Sequence, residues 1–285
     1  MTYRDRSVMV TLEAREARVQ RPNWAPAEVD LDRPSAARVY DFYLGGLHNF
    51  AVDREMAARA VADWPELPAI MQANRAFLRR AVRHLAAQGI DQFLDIGSGI
   101  PTVGNVHEVA QAALGDARVV YVDIDPIAVA HARALLEDDA NTGVVQADFV
   151  DVGAVLEDPV TRSLLDFSRP VGLLVVALLH FVGDERRPAE ALARYREAMA
   201  PGSHLVLSHA SADGAPDRAD EHRSLYRRTA TPMTMRSRDE VAALLDGFTL
   251  VEPGIVFLPQ WRPDDPVPPA NPERFTGYAA VGRRD

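Results

Sequence analysis

Residues 171–178, Val-Gly-Leu-Leu-Val-Val-Ala-Leu, form an uninterrupted apolar run. A strand with no polar alternation fits burial on both faces, and parallel sheets covered by helices on both sides are where such strands occur. The surrounding chain agrees with that placement. Short apolar segments at 92–96, 118–122, 143–147 and 203–208 alternate with stretches of helical spacing at 104–114, 126–138 and 187–200. Strands alternating with helices imply parallel pairing through crossovers, a doubly wound α/β sheet. Asp125-Pro126 offers an N-cap and a first-turn proline to one helix. Ser237-Arg238-Asp239-Glu240 is a capping box for another, which stops at Gly247. Two closing strands are expected at 248–257 and 277–282, and there are no internal repeats.

An all-helical prelude precedes the alternation. Ser35 heads a short capped helix that ends at Gly45-Gly46, and residues 53–63 read as a second helix stopping near Trp64-Pro65. Ile70, Ala73, Phe77, Leu78, Ala81, Val82 and Leu85 recur at helical spacing, with Arg79, Arg80 and Arg83 opposite and Gly89 as the stop. The expected organisation is a tail over 1–33, a helical lid over 34–90 and a core over 91–285. Within that core, 209–236 is a substrate-side insertion carrying Tyr226 and Met233. The chain has 285 residues and is 47% hydrophobic, enough for one substantial core.

Charge and composition narrow the function. The formal net charge of −10 disfavours a nucleic-acid partner, because an acidic surface repels phosphates. With no cysteine, disulfide frameworks and cysteine-based zinc sites are excluded. His48, His84, His107, His131, His180, His204, His209 and His222 show no ligand spacing, so no metal is expected. No apolar run approaches the ~18 residues of a membrane span. Residues Met1 to Arg21 lack the apolar stretch of a secretory signal. A cytoplasmic location is expected.

In doubly wound sheets, ligands bind at the carboxyl ends of the strands. The first such end reads Asp95-Ile96-Gly97-Ser98-Gly99-Ile100-Pro101-Thr102. Gly97 and Gly99 let the backbone turn tightly and approach a ligand. A dinucleotide fingerprint would place a third glycine at Thr102. Asp95 would repel a pyrophosphate and attract the ammonium of an amino-acid moiety, which favours S-adenosylmethionine over NAD(P). At the second strand end, Asp123 can accept both ribose hydroxyls, with Ile124 beside it. At the third, Asp148 can accept from the exocyclic amine of adenine while Phe149 packs alongside.

Residues 93–149 therefore resemble the first half of a class I S-adenosylmethionine-dependent methyltransferase. More narrowly, one stretch is similar to an actinobacterial S-adenosyl methyltransferase family, formerly a domain of unknown function. It runs Arg33-Pro34-Ser35-Ala36-Ala37-Arg38-Val39-Tyr40-Asp41-Phe42-Tyr43-Leu44-Gly45-Gly46, followed by Asn49-Phe50 and Asp53-Arg54. The helix segment Asn74-Arg75-Ala76-Phe77-Leu78 and Leu179-His180-Phe181 fit that family as well. The resemblance covers about residues 30–283. It implies a Rossmann-like methyltransferase fold of seven strands, the last antiparallel, and S-adenosyl-L-methionine as cofactor. Pro101 stands where the general methyltransferase pattern often has a glycine. The fourth strand ends in Ala177 rather than an acid or an Asn-Pro-Pro-Tyr-like segment, which argues against methylation of adenine or glutamine amino groups in the manner of enzymes bearing that motif.

Three further groups are candidates. Tyr40 and Asn49 in the lid can touch cofactor or substrate, and Arg75 can hold a carboxylate bidentately. His180 follows the strongest strand and suits general-base work at neutral pH. The acceptor is expected to be a small molecule taking the methyl by direct displacement. A non-catalytic cofactor sensor and an NAD(P)-dependent dehydrogenase are the rival readings.

Overall fold

The computed structural model describes residues 31–101, 104–226, 232–265 and 269–285. Residues 1–30 of the tail expected over 1–33, Thr102, the centre of the 209–236 insertion and the side chain of His222 lie outside them. Eight strands form one sheet: β1 (Gln92–Ile96), β2 (Arg118–Asp123), β3 (Thr142–Gln146), β4 (Gly172–Val176), β5 (His204–Ala210), β6 (Thr249–Leu250), β7 (Val256–Phe257) and β8 (Gly277–Arg283). Their order is β3-β2-β1-β4-β5-β8-β6, with β7 also paired to β8. The first five are mutually parallel, and β8 runs antiparallel to β5. The chain winds outward from β1 through β2 to β3, then returns to β4, so the switch point lies between β1 and β4.

Seven strand positions were expected, and the eighth strand comes from a division within one of them. The segment 248–257 is two short strands instead of one. Pro253 has no N–H to give a ladder, and Gly254, at φ +85°, turns the chain between the two pieces.

Alternation along each strand divides the core. Phe93, Val119, Leu174 and Val206 point to one face of the sheet, Leu94, Val120, Leu173 and Leu205 to the other. The first face is covered by α3 (Leu67–Ala87), α4 (Val106–Leu114) and α5 (Pro126–Leu135). The second is covered by α6 (Val152–Leu156), α8 (Pro188–Ala198) and α10 (Arg238–Leu244). The short helices α6 and α7 (Pro159–Leu164), and α9 (Pro216–Tyr226), carry too little periodicity to announce themselves in the sequence.

The prelude consists of α1 (Ala36–Tyr43), α2 (Ala51–Asp63) and α3. α3 is a layer of the core: Phe77, Leu78, Ala81, Val82 and Leu85 share one apolar cluster with Phe93, Leu174 and Val281. The division at residue 90 is thus one of sequence and not of packing, and the overhanging part is α1 and α2.

The caps follow the sequence with one exception. Asp125 accepts from the Ile127 N–H at 2.8 Å, and the Ser237–Glu240 box forms. Ser35 makes no cap hydrogen bond to α1; its hydroxyl donates to the Asp125 carboxylate instead, and its N–H to Asp53 at 3.0 Å. Asp53 is the hub of the overhang. It is fully buried, receives the Phe50 N–H at 2.8 Å and pairs with the buried Arg38 guanidinium at 2.8 Å. Asp53→Ala leaves that guanidinium without its counter-charge. Chemical denaturation is expected to read a loss of about 3–5 kcal/mol; a loss below about 1 kcal/mol would show the pair to be dispensable.

Candidate active site

The loop after β1 turns through two left-handed glycines, Gly97 (φ +73°) and Gly99 (φ +67°). A Cβ on Gly97 would meet the Leu178 side chain at 2.8 Å, whereas one on Gly99 would meet nothing within 4 Å. Gly97 therefore allows close packing against the end of β4, and Gly99 borders open space. The turn is held to β2: the Gly97 and Ser98 N–H groups donate to the Val122 carbonyl at 2.8 and 3.1 Å. The Asp123 carboxylate accepts from Gly99 at 2.7 Å with one oxygen and from the Asp125 N–H at 2.8 Å with the other.

Asp95 lies beneath this turn, 5% exposed. Burial pushes its carboxyl up to about 7, against the pull of the Arg75 guanidinium. Asp123 is raised to about 6, again by burial, with the N–H groups of Asp125 and Gly99 opposing. Arg75 reaches the site from α3. Its terminal nitrogen lies 3.5 Å from both the Gly104 carbonyl and Asn105 Oδ1, the outer limit of a hydrogen bond, and its buried Nε has no partner. A buried cationic donor left unsatisfied beside a buried carboxyl is a pairing that a zwitterion can complete.

Asp148 is partly exposed. It accepts from the Val150 N–H at 3.2 Å and pairs with Arg186 at 2.7 Å. Phe149 corrects the expectation: its ring is 3% exposed and packs in the core against Tyr195, with centroids 5.6 Å apart, so it does not border the cleft. The apolar surface at this rim belongs to Ile124, 57% exposed after Asp123. Asn49 also corrects the expectation. Its amide donates to Asp41 at 2.8 Å and the Gly46 carbonyl at 2.9 Å, and its oxygen accepts from Arg54 at 3.2 Å. Both ends are spent inside the overhang, bracing the Gly45-Gly46 loop.

A second space opens between the overhang and the ends of β4 and β5. It is a cavity of about 70 Å³ bordered by Tyr40, Asn74, Ala177, His180, Ser208 and Tyr226, with Met233 among its other walls. Tyr226 and Met233 are the residues singled out in the 209–236 insertion. Ala177 connects this cavity with the glycine turn: it lines the cavity, and the next residue, Leu178, packs on Gly97. Ala177 has φ +56°, a left-handed conformation that a non-glycine residue seldom adopts. Its N–H donates to Ser208 Oγ at 2.9 Å, and that hydroxyl donates to Asn74 Oδ1 at 2.6 Å. The Asn74 amide donates to the Tyr40 hydroxyl at 2.9 Å, and Tyr40 donates to the Met71 carbonyl at 3.3 Å. This chain of hydrogen bonds links the overhang to the sheet.

His180 is buried at 6% exposure and lines the cavity. Its Nδ1 accepts from the Ala210 N–H at 3.4 Å, which puts the proton of the neutral ring on Nε2. In that tautomer it is a donor, and the general-base role does not fit. Sequence reasoning missed Asn74, Ser208, His209 and Arg236 as site residues. The signal in the sequence was the Asn74-Arg75 segment, which fits the family, and the polar pair Ser208-His209 at the end of an apolar strand. Arg236 is buried and donates to the Leu179 and Val182 carbonyls, His209 and Asp184. Among the described residues no three His, Asp or Glu side chains cluster as a metal site, and no helix is long and apolar enough to cross a membrane.

A parallel sheet with an antiparallel strand inserted beside β5, a glycine turn after β1 and an acid at the end of β2 define a class I S-adenosylmethionine-dependent methyltransferase. The chain matches the S-adenosyl methyltransferase family over residues 22–285 and belongs to it. It is similar to a candidate methyltransferase from Thermobifida fusca, with 42% identity and a TM-score of 0.87, covering 93% of this chain and 100% of that one. It is similar also to a DUF574 family protein from Streptomyces avermitilis, with 39% identity and a TM-score of 0.85, covering 90% and 100% of the two chains. No curated protein matches the chain. The cofactor is S-adenosyl-L-methionine, and the unsatisfied Arg75 Nε, the Asp95 carboxyl and the open space over Gly99 fit its amino-acid end.

The Asp95 carboxyl gives a stability prediction. Its native value near 7 lies above the ordinary 3.8, so the folded state holds a proton the unfolded state has released. The stabilising contribution is full below 3.8 and is lost as pH rises through 7. Asp95→Asn, free of ligand, is expected to exceed wild type in stability at pH 8 by up to about 4 kcal/mol. That gap should shrink by about half or more at pH 5. Thermal melts of both proteins at the two pH values check this; a gap independent of pH would show that Asp95 ionises normally.

Proposed function

We propose that the chain methylates a small-molecule acceptor held in the cavity at the ends of β4 and β5, with the amino-acid end of the cofactor between Arg75 and Asp95. S-adenosylmethionine, when bound, supplies a methyl group on a positively charged sulfur. The observation that carries the reading is the pairing of an unsatisfied buried Arg75 Nε with a buried Asp95 carboxyl at one glycine turn. One cation and one anion answer the α-carboxylate and the α-ammonium of an amino acid. The Gly97, Ser98 and Gly99 turn gives that end its close approach.

Asp123 takes the ribose hydroxyls. Its oxygens receive the Gly99 and Asp125 N–H groups, with that of Ile124 also close, and a carboxylate's roughly four lone-pair sites leave room for further donors. Asp148, steadied by Arg186, accepts from the exocyclic amine of adenine. The Phe149 contribution passes to its backbone: that N–H makes no hydrogen bond to the described backbone and can donate to a ring nitrogen. Ile124 covers a face of the ring. On the acceptor side, Tyr40, Asn74 and His180 offer neutral donors and acceptors that orient a small molecule. α1 and α2 act as a lid that keeps water from the reacting atoms, and bringing the acceptor into line is the main task left to the protein. The net charge of −10 supports an acceptor other than nucleic acid. The sources of the two relatives support the actinobacterial setting.

S-adenosylhomocysteine should raise the melting temperature, and NAD should not. Titration calorimetry on Asp123→Ala should show affinity for S-adenosylhomocysteine reduced more than about tenfold, since charge-assisted hydrogen bonds to two hydroxyls are lost. Unchanged affinity would put the ribose elsewhere.

A further inference from the structure

The acceptor cavity is walled by seven rings, those of Tyr40, Tyr43, Trp64, His180, Phe181, His209 and Tyr226. Among the described residues bordering it, none is Asp, Glu, Lys or Arg. The remaining question is which of these groups can take a proton from an acceptor. The Ala210 N–H is directed at the His180 Nδ1 lone pair, at 3.4 Å, and so occupies the nitrogen that would take the proton. His209, also on the wall, has both nitrogens committed. Arg236 can only donate, so His209 Nε2 accepts from it at 2.8 Å, and Nδ1–H donates to the Ala210 carbonyl at 2.8 Å. Burial and the Arg236 charge hold this imidazole neutral, down to about 4. Burial pushes the hydroxyls of Tyr40, Tyr43 and Tyr226 upward, so they remain un-ionised. The Arg236 charge is itself answered by Asp184 and faces two carbonyls.

We infer that the acceptor is a small, uncharged aromatic molecule whose nucleophile is a ring nitrogen carrying no hydrogen, and that the product is its N-methyl cation. The inference rests on the placement of the acceptor in this cavity. In the transfer, the nitrogen lone pair forms the N–CH3 bond. The S–CH3 bond breaks with its electrons left on sulfur, and the positive charge passes to nitrogen. No proton is released, so walls whose described residues offer no base suffice. An aromatic face turned to the nitrogen attracts the charge it gains. A phenol or alcohol would have to lose a proton or enter as an anion, and an aromatic wall does not compensate the desolvation of an anion. An alkyl amine arrives protonated and meets the same want of a base. An acceptor amide or exocyclic amine would seek a hydrogen-bond acceptor at the end of β4, where the Ala177 side chain offers none.

The full chain saturated with S-adenosylhomocysteine tests this by calorimetry with three probes: N-methylpyridinium, its neutral isostere toluene, and benzoate. N-methylpyridinium is expected to bind at least about tenfold more tightly than toluene, through several ring faces together, and benzoate not at all. Tyr226→Leu should weaken N-methylpyridinium by about fivefold or more while changing toluene by less than about twofold. Phe181→Leu, whose ring lies 5.4 Å from that of Tyr226, serves should the first variant fail to fold. N-methylpyridinium binding no better than toluene, or benzoate binding more tightly than either, overturns the inference and leaves the cofactor reading intact. Failure of S-adenosylhomocysteine to bind removes the cofactor reading, and this inference with it.

Discussion

The Asp123 carboxylate ties together the loops that follow β1 and β2. One oxygen holds the Gly99 N–H and the other the Asp125 N–H. Asp125 in turn caps α5 with one oxygen and receives the Ser35 hydroxyl on the other. A single relay therefore runs from the glycine turn, through two carboxylates, to the first residue before α1. The overhang is positioned by the same acids that hold the glycine turn. This explains why Ser35 does not cap its own helix: its hydroxyl is used to join the overhang to the sheet edge. It also concentrates negative charge. Asp95 near the end of β1, Asp123 at the end of β2 and Asp125 just beyond it stand at adjoining strand ends, and burial raises the first two. Such a cluster is poorly satisfied by protein groups alone and is suited to a ligand bearing positive charge.

The helix α3 carries this arrangement into the core. One side of it is apolar and buried against the sheet. From its neighbouring polar positions, Arg75 acts on the Asp95 charge beneath the glycine turn and Asn74 reaches Ser208 on β5. Consecutive residues of one rigid helix thus touch the two halves of the site. A shift of α3 on the sheet would move the cofactor and acceptor contacts together, so packing by Phe77, Leu78 and Leu85 has a direct bearing on alignment.

Which features were legible in the sequence follows from how local their causes are. The order of strands and helices, the glycine turn and the acids at the ends of β1, β2 and β3 are set by periodicity and by fixed offsets from strand ends. Side-chain direction in irregular loops is not. Asp148 and Phe149 are adjacent in a loop, yet one meets solvent and Arg186 while the other turns into the core against Tyr195. Asn49 reads as an exposed polar residue until Asp41 and Gly46 are brought beside it. The hydrogen bond between Asn74 and Ser208 joins residues 134 positions apart, and no local pattern encodes it. Within 248–257 the break is local after all: Pro253 gives no N–H to a ladder and Gly254 turns the chain.

The two halves of the site divide the electrostatic work. On the cofactor side, buried carboxyls and one guanidinium match groups whose charge is present before and after transfer. On the acceptor side, the described walls are neutral, aromatic and hydrogen-bonded among themselves, and their histidines are fixed in tautomers by Ala210 and Arg236. Charge must cross from one environment to the other in the reacting step. A positive charge leaving sulfur moves away from the buried carboxyls, which costs energy unless the receiving side attracts it. Rings do so without a counter-ion and without holding the charged product as tightly as a carboxylate would. The left-handed Ala177 stands at the border between the two environments, with a methyl for a side chain. A larger residue there would narrow the border across which the methyl group passes in one displacement.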